Sequence, residues 1–347
     1  MNNIITLSGD PGSGKSTVRK ALQTIFEEQG KKVRVYCVGD IFRKLAEDRG
    51  MTVIEFSKML EEKNTSVDEQ LDKAVAEYGE KIQSENNPEK IYIIDSRMAW
   101  NTIPSAYKVR LTVTNQMAGE RIFKDKTRGE EDKYSTIKEA ICATKARKES
   151  ERKRYLELYG KDITLDENFD ININTAFVTP EEIASTIISN MNLENRDINK
   201  GRIWASPKIF LPTQALGDTI HTYESVRKSI EQNGYDAKQT ICATKRGGMY
   251  FLIDGHHRNF ASASAGINLI PYSVREDTRK ELYTVEEQKD ILRNILGKGY
   301  RSVLYSYEEA WRDKDTGKLT YRYNDAYPGI YGQQQDVDLK EKDNWER

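Results

Sequence analysis

The run Gly9-Asp10-Pro11-Gly12-Ser13-Gly14-Lys15-Ser16 leaves this chain few options. Its spacing is G-x-x-x-x-G-K-[ST], and it stands between a short apolar, β-prone run, Ile4-Ile5-Thr6-Leu7, and a helical pattern from Ser16 to about Gln29 that Gly30 closes. Glycines let successive backbone N–H groups turn inward around an anion, and the following helix aims the positive end of its dipole at the same point. Strand, loop and helix in that order open a parallel sheet covered by helices.

The alternation continues. Strands are expected at 33–38, at 91–94 ending on Asp95, at 109–113 and at 171–173. Helices are expected over 41–48, 53–62 and 135–159, the last closed by Gly160, and from Thr179-Pro180-Glu181-Glu182, a capping box with proline in the first turn. The fold class is therefore α/β, a doubly wound parallel sheet with helices on both faces.

In such a loop Gly9, Gly12 and Gly14 shape the cradle, Lys15 reaches the β- and γ-phosphates of ATP, the Ser16 hydroxyl ligates Mg²⁺, and Thr17 touches the α-phosphate. Asp95 ends an apolar strand where a second carboxylate would hold the magnesium through water. Phosphoryl transfer also needs positive charge around the moving group. Arg128 lies in the charged segment Lys124–Glu130, a candidate lid, and Arg147 and Arg154 lie seven apart on one face of the long helix.

A chain of 347 residues is long enough for two domains. The segment 190–200 is rich in Asn and charge and poor in apolar residues, which places the boundary there. The expected division is a nucleotide-kinase-like domain over 1–190, a linker over 191–202, a small α+β domain over 203–280, and a helix with a polar, tyrosine-rich tail over 281–347. In the second domain strands are expected at 209–211, 240–243, 249–253 and 269–274, with helices over 223–232, 259–265 and from 284 to about 296. Ile141–Lys145 and Ile241–Lys245 share the sequence ICATK, the first reading as helix and the second as strand, a coincidence of local sequence.

The three cysteines, Cys37, Cys142 and Cys242, are too far apart for a paired metal motif and odd in number, which points to reduced thiols. No apolar run approaches the ~18 residues of a membrane span, and the first residues lack the pattern of a signal peptide, so a cytoplasmic location with no membrane partner is expected. The formal net charge of −1 gives no overall pull toward nucleic acid.

Residues 3–190 resemble the archaeal-type cytidylate kinases, within the adenylate-kinase-like P-loop kinases. The resemblance rests on Leu7–Thr17, on Val38-Gly39-Asp40-Ile41-Phe42-Arg43 followed by Arg49–Ser57, on Asp95-Ser96-Arg97-Met98-Ala99, on Glu149–Tyr155 with Tyr159-Gly160, and on Asn174-Thr175 before the Pro180 helix. It implies that Asp40, Arg43 and Arg97 hold the acceptor nucleotide, with Arg97 and Asp40 also serving catalysis, and that Arg128, Arg147 and Arg154 serve the phosphates. That family usually has Glu-Gly-Arg where this chain has Asp95-Ser96-Arg97, which puts the identity of the acceptor in question.

In the second part, Asp254-Gly255-His256-His257-Arg258 follows an apolar strand and precedes a small-residue helix. This box, with Ile209–Pro212 before it, resembles the phosphate-binding box of the ParB/sulfiredoxin-like fold over residues 205–276. That resemblance implies a phosphate, nucleotide or DNA site at Asp254, Gly255, His256, His257 and Arg258, while the lack of cysteine in the box argues against sulfiredoxin chemistry. Residues 201–280 carry 11 Lys+Arg against 7 Asp+Glu, a local net of +4 that is compatible with DNA as a second partner. A second active site of serine-kinase type would take its acid or base from Glu224.

Three functions fit these observations: a kinase for CMP or dCMP; a kinase acting on a hydroxymethylpyrimidine within DNA, such as 5-hydroxymethyluracil, with the second domain holding the duplex; and a nucleotide-gated DNA-binding or partition protein.

Overall fold

The computed structural model describes residues 3–51, 55–56, 59, 67–85, 87–126, 133–191, 203–216, 220–281 and 285–331. Most of the helix expected over 53–62, residues 192–202 of the expected linker and Arg128 lie outside them, while Met191 ends a helix. The chain divides into two compact units, Met1–Ala205 and Ser206–Arg347.

Unit 1 runs β1 (Ile4–Gly9), α1 (Lys15–Glu28), β2 (Lys32–Cys37), α2 (Val38–Glu47), α3 (Val67–Glu85), β3 (Lys90–Asp95), α4 (Ala99–Thr102), β4 (Tyr107–Thr112), α5 (Asn115–Lys124), α6 (Ile137–Tyr159), β5 (Ile171–Asn174), α7 (Pro180–Met191) and β6 (Ile203–Ala205). Its strands lie in the order β2-β3-β1-β4-β5-β6, each pair parallel. Every residue of β1 and β5 is buried, the mark of strands covered on both faces. One face carries Ile4, Tyr92 and Ile94 against Val75 and Ile82 of α3 and Ile103. The strand order reverses beside β1, so the crevice beyond the ends of β1, β3 and β4 is where such a sheet takes ligands. The expected α/β fold is what the chain adopts.

Helix ends follow their sequence signals. Thr179 and Glu182 cap α7 reciprocally: the Glu182 N–H donates to Thr179 Oγ1 at 3.3 Å and the Thr179 N–H to Glu182 Oε2 at 2.9 Å. Gly160, at φ +64°, closes α6. Residues 203–205, expected to open the second domain, pair instead with β5 as the last strand of unit 1.

Unit 2 runs β7 (Phe210–Leu211), α8 (Ile220–Asn233), β8 (Ile241–Gly247), β9 (Met249–Asp254), α9 (His256–Ser264), β10 (Ile270–Glu281), α10 (Val285–Leu296), α11 (Tyr300–Glu308) and α12 (Tyr323–Ala326). The strand order is β10-β8-β9-β7, with β8 and β9 antiparallel and the other pairs parallel. Gly247 and Gly248, both at positive φ, make the tight turn between β8 and β9. Three expectations need correction. Helix α9 begins at His256 rather than Asn259, because Gly255 at φ +87° takes the N-cap. Strand β10 runs on to Glu281 rather than ending near 274. In the segment 300–331 of the tail expected to be polar, Tyr300, Tyr307, Tyr323, Tyr327 and Ile330 are buried.

Candidate active site

The loop after β1 is tied into the sheet's end. The Asp10 N–H donates to Leu111 O at 2.9 Å, the Ser13 N–H to Asp10 O at 3.1 Å. Gly12 and Gly14 take φ of +74° and +79°, which side-chain-bearing residues avoid. Helix α1 starts with no side-chain cap and no acidic residue in its first turn, so its positive end faces the loop uncancelled. The Ser13 hydroxyl is buried with no partner among the described residues. A buried, unmatched donor inside a glycine cradle at a helix N-terminus is suited to a phosphate oxygen.

Lys15 donates to Asp95 Oδ1. The parallel register sets Leu7 beside Asp95, which brings the end of β3 to the loop. Burial, the largest influence, lowers the Lys15 ammonium below its ordinary range, against the opposing pull of Asp95. Arg19 joins this group, with Nε 3.6 Å from Asp95 Oδ2 and Nη1 4.0 Å from Asp40 Oδ2. Ser16 and Thr17 are exposed at the first turn of α1. Asp40 lies near the start of α2; Arg43 is on the same helix, and its side chain lies outside the described residues.

Arg97 and Arg147, placed on different elements, meet on one carboxylate. Arg97 Nη2 lies 3.1 Å from Glu151, and Arg147 Nε lies 3.2 Å from Glu151 Oε1. Glu151 is one turn along α6 from Arg147. Arg154 lies farther along α6, its guanidinium 5.1 Å over the ring of Tyr155. Tyr155 packs with Met98, Trp100 and Phe169, which anchors that end of α6. A small cleft lies beside the loop, its lining including Ser8, Asp10, Arg97, Arg110, Lys148 and Glu151.

Several site residues gave no signal of their own in the sequence. Arg121 of α5 donates to the loop carbonyl of Gly12 at 3.3 Å and to Thr175 O at 2.8 Å, buttressing the loop from behind. Arg19 was findable, since it falls one turn after Lys15 on α1. Lys148 and Glu151 were not, because α6 is charged along its length and nothing in its pattern says which charges face inward; Arg110 was not, because nothing in the run of β4 sets its charge apart.

In unit 2 the Asp254–Arg258 box forms the expected strand–turn–helix start. Arg258 pairs with Asp254 at 3.0 Å. His256, however, is turned inward and is 5% exposed. Its Nε2 accepts from the Thr213 N–H at 3.3 Å. Burial, with His257 nearby and against Asp254, pushes the imidazole down to about 4. His257 is partly exposed, as is Gly255, and Glu224 is exposed on α8.

Residues 4–176 match the model of the cytidylate kinase-like family. The chain is 33% identical over 172 residues to a cytidylate kinase of Methanosphaera stadtmanae, covering 50% of this chain and 88% of that protein. It is 33% identical over 201 residues to a cytidylate kinase of Natronomonas pharaonis, covering 57% of this chain and 94% of that one. It is also 31% identical over 199 residues, 56% of its length, to an S-adenosylmethionine-dependent nucleotide dehydratase of Lacinutrix mariniflava, of which it spans 37%. Among the described residues no helix is long and apolar enough to cross a membrane. With these two cytidylate kinases matched over most of their own length, the chain belongs to the cytidylate kinase-like family as a nucleotide kinase.

Proposed function

We propose that unit 1 transfers the γ-phosphoryl group of ATP to a pyrimidine nucleoside monophosphate, CMP or dCMP. The observation that carries this reading is the meeting of Arg97 and Arg147 on Glu151 beside the loop. A loop that only senses a nucleotide needs cations for one set of phosphates; a kinase needs them for a second, incoming one. That two relatives are cytidylate kinases favours a cytosine acceptor.

In this reading Gly9, Gly12, Gly14 and Thr17 cradle the donor phosphates, and Lys15 neutralises their developing charge. Asp40, Arg43 and Arg97 hold the acceptor. Arg147, Arg154 and Arg128 gather on the group in flight. Ser16 and Asp95 would hold magnesium, whose charge would offset that of the donor phosphates. Lys15 then exchanges its bond to Asp95 for one to phosphate, which frees that carboxylate.

The test offers γ-labelled ATP and magnesium with CMP, dCMP, UMP, plain DNA and hydroxymethylpyrimidine DNA as acceptors, with Lys15→Ala alongside. Label on CMP or dCMP, lost by at least about 100-fold in Lys15→Ala, is expected. Label on modified DNA alone would replace the acceptor. We further infer that the box of unit 2 takes an anion through the first turn of α9 and Arg258, His256 holding the turn; phosphate-dependent chemical shifts at His257, absent in Arg258→Ala, test it.

A further inference from the structure

A carboxylate inside a phosphate cradle is out of place. Two like charges a few ångströms apart repel weakly in water and several times more strongly in a drier cleft. Asp10 is the second residue of the loop, and its side chain is only 13% exposed. Its surroundings explain how the charge is tolerated. Oδ2 lies 2.8 Å from Lys148 Nζ, and Oδ1 lies 3.9 Å from Arg110. Burial by itself would raise the carboxyl; Lys148 and Arg110 outweigh it and hold Asp10 below the ordinary carboxylate range. Arg110 is in turn fixed by Asp166 at 2.7 Å and Thr164 O at 3.0 Å.

Lys148 belongs to α6, between Arg147 and Glu151. The helix therefore meets the mouth of the site through two ion pairs of opposite polarity: Lys148 on the loop's Asp10, and Glu151 on Arg97 beyond β3. Residues three apart on a helix share a face, so the two pairs together fix both position and rotation of α6.

We propose that Asp10 and Lys148 are positioning residues, an ion-pair latch that sets α6 over the phosphate loop and so holds Arg147 where the phosphoryl group moves. The proposal rests on the kinase reading of unit 1. A loop carboxylate repels the donor nucleotide slightly, and the latch gives a reason for its presence: alignment of the helix carrying the arginines.

The test compares Asp10→Asn, Lys148→Met, the double variant and Lys148→Arg in steady-state phosphorylation of CMP. Each neutral variant is expected to lower kcat roughly tenfold or more with the KM for ATP within about twofold of the parent. The double variant is expected to be no slower than the worse single one, and Lys148→Arg to recover most of the rate. Asp10→Asn with an unchanged kcat would overturn the latch. So would effects that multiply in the double variant, or a loss confined to the KM for ATP, which would make Lys148 a phosphate ligand. Amide exchange across Ile137–Tyr159 with ADP and magnesium bound gives a readout independent of the acceptor. Faster exchange in Asp10→Asn is expected, and unchanged exchange counts against the latch. If the parent protein leaves CMP untouched while that exchange difference is present, the acceptor is wrong and the latch stands.

Discussion

The glycines of the phosphate loop are there for different reasons, and substitution separates them. At Gly12 an added Cβ would fall 2.8 Å from Ala118 Cβ and 2.9 Å from its Cα, in a backbone conformation at φ +74°. At Gly14 the φ is +79° but nothing lies within 4 Å. Gly14→Ala therefore meets backbone strain of about 1 kcal/mol, whereas Gly12→Ala must also push α5 away. Thermal melts and ADP titration are expected to show a clearly larger loss for Gly12→Ala than for Gly14→Ala; equal losses would contradict the packing. Gly12, Gly14 and Lys15 were legible in the sequence because left-handed backbone and phosphate charge demand particular residue types. Asp10 and Lys148 were not, since their roles depend on which of many charges face one another across the fold. His256 was not legible either: it stands beside His257 in the box, yet its ring takes a backbone N–H inside the unit. Its lowered value means the unfolded chain binds the extra proton between about pH 6.5 and 4, so stability of unit 2 falls as pH drops through that window, by roughly 1–3 kcal/mol. Denaturation midpoints against pH are expected to be flatter in His256→Gln, with His257 and Asp254 retained as the neighbouring titratable groups.

Among the elements, α6 carries the site's charges and depends on a close crossing. Gly119 of α5 faces it, and an added Cβ would lie 2.5 Å from Ile141 Cγ1 and 2.7 Å from Ile141 Cα. Backbone cannot yield as a flexible side chain can, so Gly119→Ala must move α6 bodily. A shift of about 1 Å in positioned groups can cost up to 100-fold in rate. Gly119→Ala is expected to lower kcat at least several-fold while ADP binding changes little; an unaltered kcat would show that α6 is not positioned by this crossing. Strands β1, β3 and β5 were legible because strands buried on both faces read as apolar runs, whereas the three-residue β6 was not. Helix α3 was not read from the sequence: Leu71, Val75, Tyr78 and Ile82 recur at helical spacing, but the charged residues between them dilute the stripe. The identical segments Ile141–Lys145 and Ile241–Lys245 form helix in α6 and strand in β8, so tertiary surroundings decide where local preference is weak.

At the scale of the whole molecule, the tyrosine-rich tail is the part that sequence reading missed. Its polar composition assigned it no role, but tyrosine has a large apolar body with a polar tip, and folded around a backbone segment it satisfies both. The hydroxyls of Tyr321, Tyr327 and Tyr323 donate in turn to the carbonyls of Lys208, Ile209 and Phe210. Trp311 stacks edge-on against Tyr321 at 4.7 Å and Tyr323 at 5.8 Å. Glu308, fully buried, accepts from the Tyr323 N–H at 2.8 Å and from the Tyr331 hydroxyl, which ties α11 to the residues after it. A chain ending at residue 297 is therefore expected to lose the cooperative unfolding of unit 2 and to keep nucleotide kinase activity in unit 1; an intact second transition would show that the tail is dispensable.

The most direct single measurement is ³¹P NMR of the intact protein with ATP, magnesium and CMP. Signals of CDP and ADP growing together, and vanishing in Lys15→Ala, are the expected result. ATP and CMP left unchanged, or ADP and free phosphate appearing with no CDP, would contradict a pyrimidine-nucleotide kinase.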